Sequence, residues 1–284
     1  MTAMPGERHL TAHKTGRIFS QNMTNSIIKF LFIFTFTLSL RALAQSVDPH
    51  DVQPERPTVA THAGTVAPGW LEIEAGGEFD YYENQSNGFN LPANIKVGVT
   101  SDIQINLFSS AVRPPHTSDL QAGDFAVGVK WRIFDDFPIL EKFAILPIVK
   151  LPTGPTASGA GTGTVDGSIL LISSHEIGPI ALDINLGFTH RSDRGNGVPL
   201  NSSLWTISFG GPLISTFGWV AEFYGYPGTS GESGQSPIVA TLIGPTVTAY
   251  SWLVLDFGCI VPIKGSQPSA VYFGCVYNIG KIID

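Results

Sequence analysis

Charge is scarce in this chain: 14% of its 284 residues are Asp, Glu, Lys or Arg, against about 25% in an average soluble domain. Basic residues are the scarcer sign, 16 against 23 acidic, and the formal net charge of −7 excludes a strongly basic nucleic-acid-binding surface. Two cysteines cannot build a disulfide framework or a four-thiolate metal site. Long apolar runs are missing after Gln45; Ala144 to Val149 is already interrupted by Pro147 and closed by Lys150. A helical membrane span needs about 20 apolar residues, so none is expected in the mature chain.

What is plentiful is glycine, 31 residues, and proline, 20, a turn-rich composition that disfavours long helices. One longer, predominantly apolar stretch lies near the N-terminus. Lys29 precedes Phe30 to Leu40, and Ala42-Leu43-Ala44 follows as a small-residue cleavage pattern. That order of charge, apolar core and small residues predicts a secretory leader over 1–44, cleaved before Gln45. The leader carries five of the basic residues and one acidic residue, so the exported chain is more acidic than the precursor.

Beyond it the hydrophobic pattern alternates with a period of two, the signature of strands with one apolar and one polar face. In 70–82, Leu71, Ile73, Phe79 and Tyr81 share one face, and Glu72, Glu74, Glu78 and Asp80 the other. In 124–133, Phe125, Val127, Val129, Trp131 and Ile133 oppose Asp124, Lys130 and Arg132. About twelve such strands are predicted, at 70–82, 91–100, 103–113, 123–134, 143–152, 164–175, 179–191, 202–211, 217–227, 237–247, 252–263 and 270–279. Tight joins at 100–102, 176–178 and 248–251 and a compact one at 211–216 alternate with longer stretches at 83–90, 114–122, 153–163, 192–201, 228–236 and 264–269. An even strand count with short turns at one end and long loops at the other predicts an all-β fold, an antiparallel outer-membrane barrel. A soluble sandwich also alternates, but it turns its apolar face to a core and carries more surface charge. One join fits poorly: 134–142 belongs at the short-turn end yet spans nine residues. The domain plan is a 1–44 extension plus leader, a Pro-rich periplasmic lead-in at 45–69, the barrel at 70–279 and a C-terminal extension at 280–284. Composition leaves open whether the lead-in is a disordered leader or folds into the lumen as a plug.

Several stretches resemble the "MetA-pathway of phenol degradation" outer-membrane family. They are Glu55-Arg56-Pro57, Gly64 to Glu74, Gly98 to Ile105, Lys150-Leu151-Pro152-Thr153-Gly154 and Gly161 to Asp166. The resemblance covers almost the whole mature chain as a pattern of glycines, turns and alternation. It implies a monomeric, transporter-like barrel in the outer membrane of a Gram-negative-type bacterium, passing small hydrophobic or aromatic compounds. Val271 to Ile279 likewise resembles the closing strand that barrel-assembly machinery recognises, although Gly280 to Asp284 extends past it.

Strand parity places Glu72, Glu74, Glu78, Asp80, Lys96, Lys130, Arg132, Lys150, Asp166, Asp183, Arg191, Glu222 and Asp256 on the inward face as candidate channel or selectivity residues. Charges there can pair and plug a narrow lumen or, separated, set ion preference. Placed outward instead, each would meet lipid at a cost of about 2–4 kcal/mol at mid-membrane. Of the aromatic residues, Tyr82, Tyr224 and Trp252 have lumen parity, and the remainder are expected as interfacial girdles. Cys259 and Cys275 lie on the last two strands and could form a cross-strand disulfide if that hairpin is centred near Gln267; otherwise they are small lipid-facing residues. His190-Arg191-Ser192 resembles the His-x-Ser arrangement of lipid A deacylases. It has no third carboxylate in place, so no enzyme is expected. Histidine spacing offers no metal site, and no cofactor is expected. The expected partners are outer-membrane lipid, the assembly machinery and a small-molecule solute.

Overall fold

The computed structural model describes residues 48–195, 197–229 and 234–283; the predicted leader at 1–44 lies outside them. The strands are β1 Trp70–Tyr81, β2 Gly88–Gly98, β3 Ile103–Arg113, β4 Gln121–Ala122, β5 Phe125–Phe137, β6 Glu141–Leu151, β7 Asp166–Ile177, β8 Ile180–Arg191, β9 Asn201–Ile214, β10 Phe217–Tyr226, β11 Ile238–Tyr250, β12 Leu253–Lys264 and β13 Ser269–Lys281. Each long strand pairs antiparallel with its neighbours, β1 meets β13, and β2 meets β3 to complete the circuit. The result is a closed antiparallel barrel of twelve strands, with β4 a two-residue addition against Ala111 and Val112 of β3. Closure leaves no unpaired edge, the condition for a sheet to stand in hydrocarbon.

The alternation read from the sequence becomes the inside and outside of this wall. Trp131, Leu186, Phe188, Phe257 and Phe273 project outward, each about half exposed, the surface a membrane-spanning barrel presents to lipid. Their sequence neighbours on the other parity are buried inside. Two apolar clusters form on the inner face. One joins Val220, Tyr224, Leu242, Ile260 and Tyr272, with Val59 packed on it. The other joins Ala63, Ala144, Leu146 and Ile172, flanked by Phe108, Ile148 and Leu170.

At one end the joins are tight, and the start of β1 meets the end of β13 there, Trp70 opposite Lys281. The troublesome join at 134–142 resolves into longer strands: β5 continues to Phe137 and β6 starts at Glu141, leaving a turn at 138–140. Irregular pairing between Arg132 and Phe137 absorbs the extra residues, and Phe134 packs beside Phe137 and Phe143, their ring centroids 5.3 and 6.4 Å away. In the same way β9 runs on to Ile214, beyond the predicted 211, so its turn is only 215–216. The opposite end carries the long loops, including 152–165, 192–200 and 227–237.

Candidate functional site: the lumen and its inner strap

Inside the barrel the segment from Pro49 to Gly69 threads along the wall, held by hydrogen bonds from its backbone to inward-pointing side chains. Four wall strands supply carboxylate or amide acceptors. Gln53 N donates to Glu72 Oε2 at 2.8 Å and Glu55 N to Glu74 Oε1 at 2.7 Å. Val59 N and Ala60 N both donate to the Glu222 carboxylate, at 2.8 and 2.7 Å. Thr61 N donates to Asn185 Oδ1 at 2.7 Å, and Asn185 returns a bond to the Thr61 carbonyl at 2.9 Å. Val66 N reaches Gln104 Oε1 at 2.8 Å, and Ala63 N reaches Ser174 Oγ at 2.8 Å. An irregular segment enclosed by protein must satisfy its peptide groups somewhere, and here the polar face of the wall does so.

Ion pairs fix the same segment. Lys96 is fully buried and bridges Glu72 and Glu74, 2.6 Å from each, while also donating to the Gln53 carbonyl. Lys130, equally buried, pairs with Glu55 and donates to the carbonyls of His62, 2.9 Å, and Gly64, 3.1 Å. Arg56 pairs with Asp256 at 3.1 Å and donates to the Phe273 carbonyl. Its guanidinium lies over Gly76 and Gly274, which face each other across β1 and β13. A Cβ on either glycine would fall within 2.5 Å of it. Gly98 plays a similar part near the end of the strap, where a Cβ would sit 2.1 Å from the Ala67 carbonyl. Two strap residues have displaced protonation equilibria. Burial pushes the Glu55 carboxyl up, but Lys130 and Lys96 outweigh it and hold the group well below the usual carboxylate range. Burial and the adjacent Lys130 push His62 down from 6.5 to about 3. The His62 ring accepts at Nδ1 from Gly64 N, 2.9 Å, so its proton belongs on Nε2.

Of the candidate residues, Glu72, Glu74, Lys96, Lys130, Asp166, Glu222 and Asp256 are buried within the barrel. Glu78 and Asp80 follow Glu74 on the same face of β1, partly exposed. Asp183, half-buried, accepts from Ser174. Lys150, Asp166 and Arg191 gather at the long-loop end. Lys150 pairs with Asp124 at 2.7 Å and Asp166 at 3.4 Å, and Arg191 lies 3.4 Å from Asp166. Asp124 there also accepts from Gly154 N and Thr162 N, 3.0 Å each, tying down the 152–165 loop. Arg132 sits apart at the short-turn rim, pairing with Asp102 at 2.9 Å and Asp135 at 3.1 Å, because the irregularity in β5 begins beside it.

The open alternative for the two cysteines is decided by the register of the last hairpin. Cys259 and Cys275 are both free. The last hairpin pairs Cys259 with Val271 and Leu255 with Cys275, which centres it on residue 265 rather than 267, so the thiols do not face each other. Trp252 lies in the turn before β12, stacked between Tyr250, centroids 4.6 Å apart, and His50 of the inner segment, centroids 6.1 Å apart. Tyr224 points inward as its parity requires, and Tyr226 and Tyr272 join it. Sequence reading also passed over the uncharged holders of the strap, Gln104, Ser174 and Asn185. Gln104 and Asn106 alternate with Ile103, Ile105 and Leu107, so the period that flagged the charges would have flagged them too. Among the described residues no three His, Cys, Asp or Glu side chains gather as a metal site.

On the long-loop side of the strap lies a cavity of about 610 Å³. Residues 55–61 form one wall of it, and Phe108, Leu146, Ile148, Leu170, Leu204 and Tyr226 supply its apolar lining. Ser109, Ser168, Thr189 and Ser202 add hydroxyls, and Glu78, Asn90 and Arg191 add stronger polar groups. The lumen is thus divided: a strap bound by buried charge toward the short turns, and a mixed apolar chamber toward the long loops.

The chain folds like the COG4313 outer membrane channel from Pseudomonas putida F1, with a TM-score of 0.61 at 8% identity over 78% of this chain and 100% of that one. It is also similar to the KdgM porin in complex with disordered oligogalacturonate, with a TM-score of 0.50 at 9% identity over 72% of this chain and 98% of that one. At such identities the likeness is one of fold, that of outer-membrane barrels. No family model and no curated protein matches the sequence.

Proposed function

We propose that this barrel is a passive channel or transporter for small, hydrophobic or aromatic molecules, standing as a monomer in the outer membrane after export through its leader. With that orientation the short turns are periplasmic and the long loops extracellular. The observation that carries the reading is the chamber of about 610 Å³, a size suited to a small ligand and lined by apolar side chains such as Phe108, Leu146 and Leu170 together with polar ones. The strap beneath it lies across the route a solute would follow, so passage requires residues 53–66 to shift. His190 is exposed and bonded to Asn201, 2.8 Å away, while Ser192 accepts from Val165 N, so His190 and Ser192 are engaged with other partners.

The test is a pair of measurements on the full chain. A heat-modifiable gel shift in the outer-membrane fraction reports the barrel. Swelling of liposomes containing it, in phenol-like and in sugar solutes, reports passage. Faster swelling with the aromatic solutes than with sugars is expected. A second reading, a ligand-binding envelope barrel with a closed lumen, is favoured by the depth at which Lys96 and Lys130 pin the strap. It predicts binding without swelling for either solute.

A further inference from the structure

The outward face of the wall carries a hollow of its own, about 560 Å³, between β5 and β8. Two neighbouring rows of cross-strand partners define it. The row nearer the long loops runs through Val149, Gly167, His190 and Asn201; the next, toward the short turns, runs through Pro147, Ile169, Phe188 and Ser203. All eight residues are exposed. Gly167 opens the floor, because a Cβ there would meet no atom within 4 Å, and Val149, Ile169 and Phe188 border the space it leaves.

Both rows are apolar over β6 and β7 and turn polar beyond the hollow, at His190 and Asn201 in the first and at Ser203 in the second. His190 Nδ1 and Asn201 Oδ1 bond each other at 2.8 Å. Among the described residues no other side-chain bond engages the His190 ring, the Asn201 amide or the Ser203 hydroxyl. The three therefore keep donors and acceptors in hand, and on a lipid-facing wall hydrocarbon supplies no partner for them. A hollow for an apolar body thus adjoins a polar edge at its long-loop side.

We propose that this hollow is a fixed lipid site: one acyl chain of a glycerophospholipid lies over Gly167 between Val149 and Phe188, and its ester and glycerol oxygens meet His190, Asn201 and Ser203. The hollow is continuous with the wall that the barrel presents to lipid, so a lipid is the molecule that covers it. Over a convex wall a chain touches protein on one side, whereas in the hollow it touches on several. In hydrocarbon, where exclusion from water gives no preference, that gain in close packing is what selects a site. Neither row contains Lys or Arg, so the phosphorylated sugar head of lipid A finds no cation there, while uncharged ester and hydroxyl oxygens match the uncharged groups at the edge. The inference rests on the outer-membrane placement and not on what passes through the lumen.

Photocrosslinking tests it, with the full chain in liposomes of phosphatidylethanolamine and phosphatidylglycerol, a trace of the former bearing a diazirine in its acyl chain. Mapped by peptide mass, adducts per outward residue on β6 to β8 should exceed those on β12 and β13, where Phe257 and Phe273 are as exposed as Phe188, by at least about fivefold. Gly167→Leu fills the hollow at a position with room for a side chain and should bring β6 to β8 down to the β12 and β13 level, with the heat-modifiable shift retained. His190→Leu should lower the excess by about twofold or more, the worth of a hydrogen bond. Unlabelled phosphatidylethanolamine should compete more effectively than unlabelled lipid A. An even spread of adducts around the wall, an excess unchanged by either substitution, or stronger competition by lipid A would overturn the assignment. The comparison of the two walls and the competition use the unaltered protein, so they decide the matter even if a variant does not fold. An excess on β6 to β8 in a protein that passes no solute would uphold the site and sink the channel reading alone.

Discussion

The two halves of the lumen solve the same problem in opposite ways. Toward the short turns the polar inner face is matched by more protein: Lys96 and Lys130 are fully buried, and each is shared between wall or strap carboxylates and strap carbonyls. Toward the long loops the same alternation leaves hydroxyls and a few charges around open space, and the ion pairs there serve the mouth and its loops. Lys150 shows this, with its ammonium divided between Asp124, Asp166 and the Thr164 carbonyl. Buried pairs in the first half are strongly coupled to folding, because losing one partner strands the other without water. Pairs in the second half are partly hydrated and can be lost at smaller cost. A barrel wall of uniform pattern thus acquires a fixed end and an adaptable end solely through where the N-terminal strap lies.

The sharpest way to break this contrast is Lys130→Met. Glu55 would be left as a buried carboxylate without its cation, and the His62 and Gly64 carbonyls would lose a donor. The expected loss is about 3–5 kcal/mol, seen as an earlier midpoint in denaturant unfolding. Adding Glu55→Gln should restore part of it, since the stranded charge goes with it.

Acid probes the same half next. The folded His62 titrates at about 3, below its ordinary 6.5. Its contribution is therefore complete above about pH 6.5 and lost as pH falls toward 3, at up to about 1.4 kcal/mol per pH unit. Glu55, also depressed, adds a loss that begins only below its ordinary carboxylate range. Unfolding midpoints measured from pH 7 to pH 4 should fall, and His62→Gln should flatten that slope.

In the outer half Lys150→Met should cost less, about 1–2 kcal/mol, and its clearer effect should be faster proteolysis of the 152–165 loop, because Asp124 would lose the ammonium that helps hold it. Smallest of all is Lys142→Ala. Its pair with Glu176 lies at an exposed rim, 43% and 73% accessible, and a shift below about 1 kcal/mol is expected.

Much of this was legible in the sequence because the barrel's constraint is local. Each strand must present lipid with one parity, so Val127, Val129 and Trp131 disclose their side of the wall without reference to anything distant. The turn lengths at 134–142 and 211–216 were overestimated for the same reason. Phe134 and Phe137 break strict alternation, and only pairing across β5 and β6 shows that the strand continues through the irregularity. What parity alone does not settle is which charges meet. Lys130 and Glu55 are separated by 75 positions, and Arg56 and Asp256 by 200; their pairing follows from the path of the strap. That path has no periodicity of its own, and Pro49, Pro54 and Pro57 suit a free tether as well as a seated one. The glycines at 76 and 274 were the readable hint, two side-chain-free positions in otherwise regular strands, which make room for Arg56.

The central claim is that residues 53–66 are seated inside the barrel, bonded to its wall. Backbone amide hydrogen exchange tests it most directly. The amides of Val59, Ala60, Thr61, Ala63 and Val66, each donated to a wall side chain, should exchange as slowly as those of the adjoining strands. Exchange of these amides at the rate of an unstructured peptide, with the strands still protected, would contradict the account.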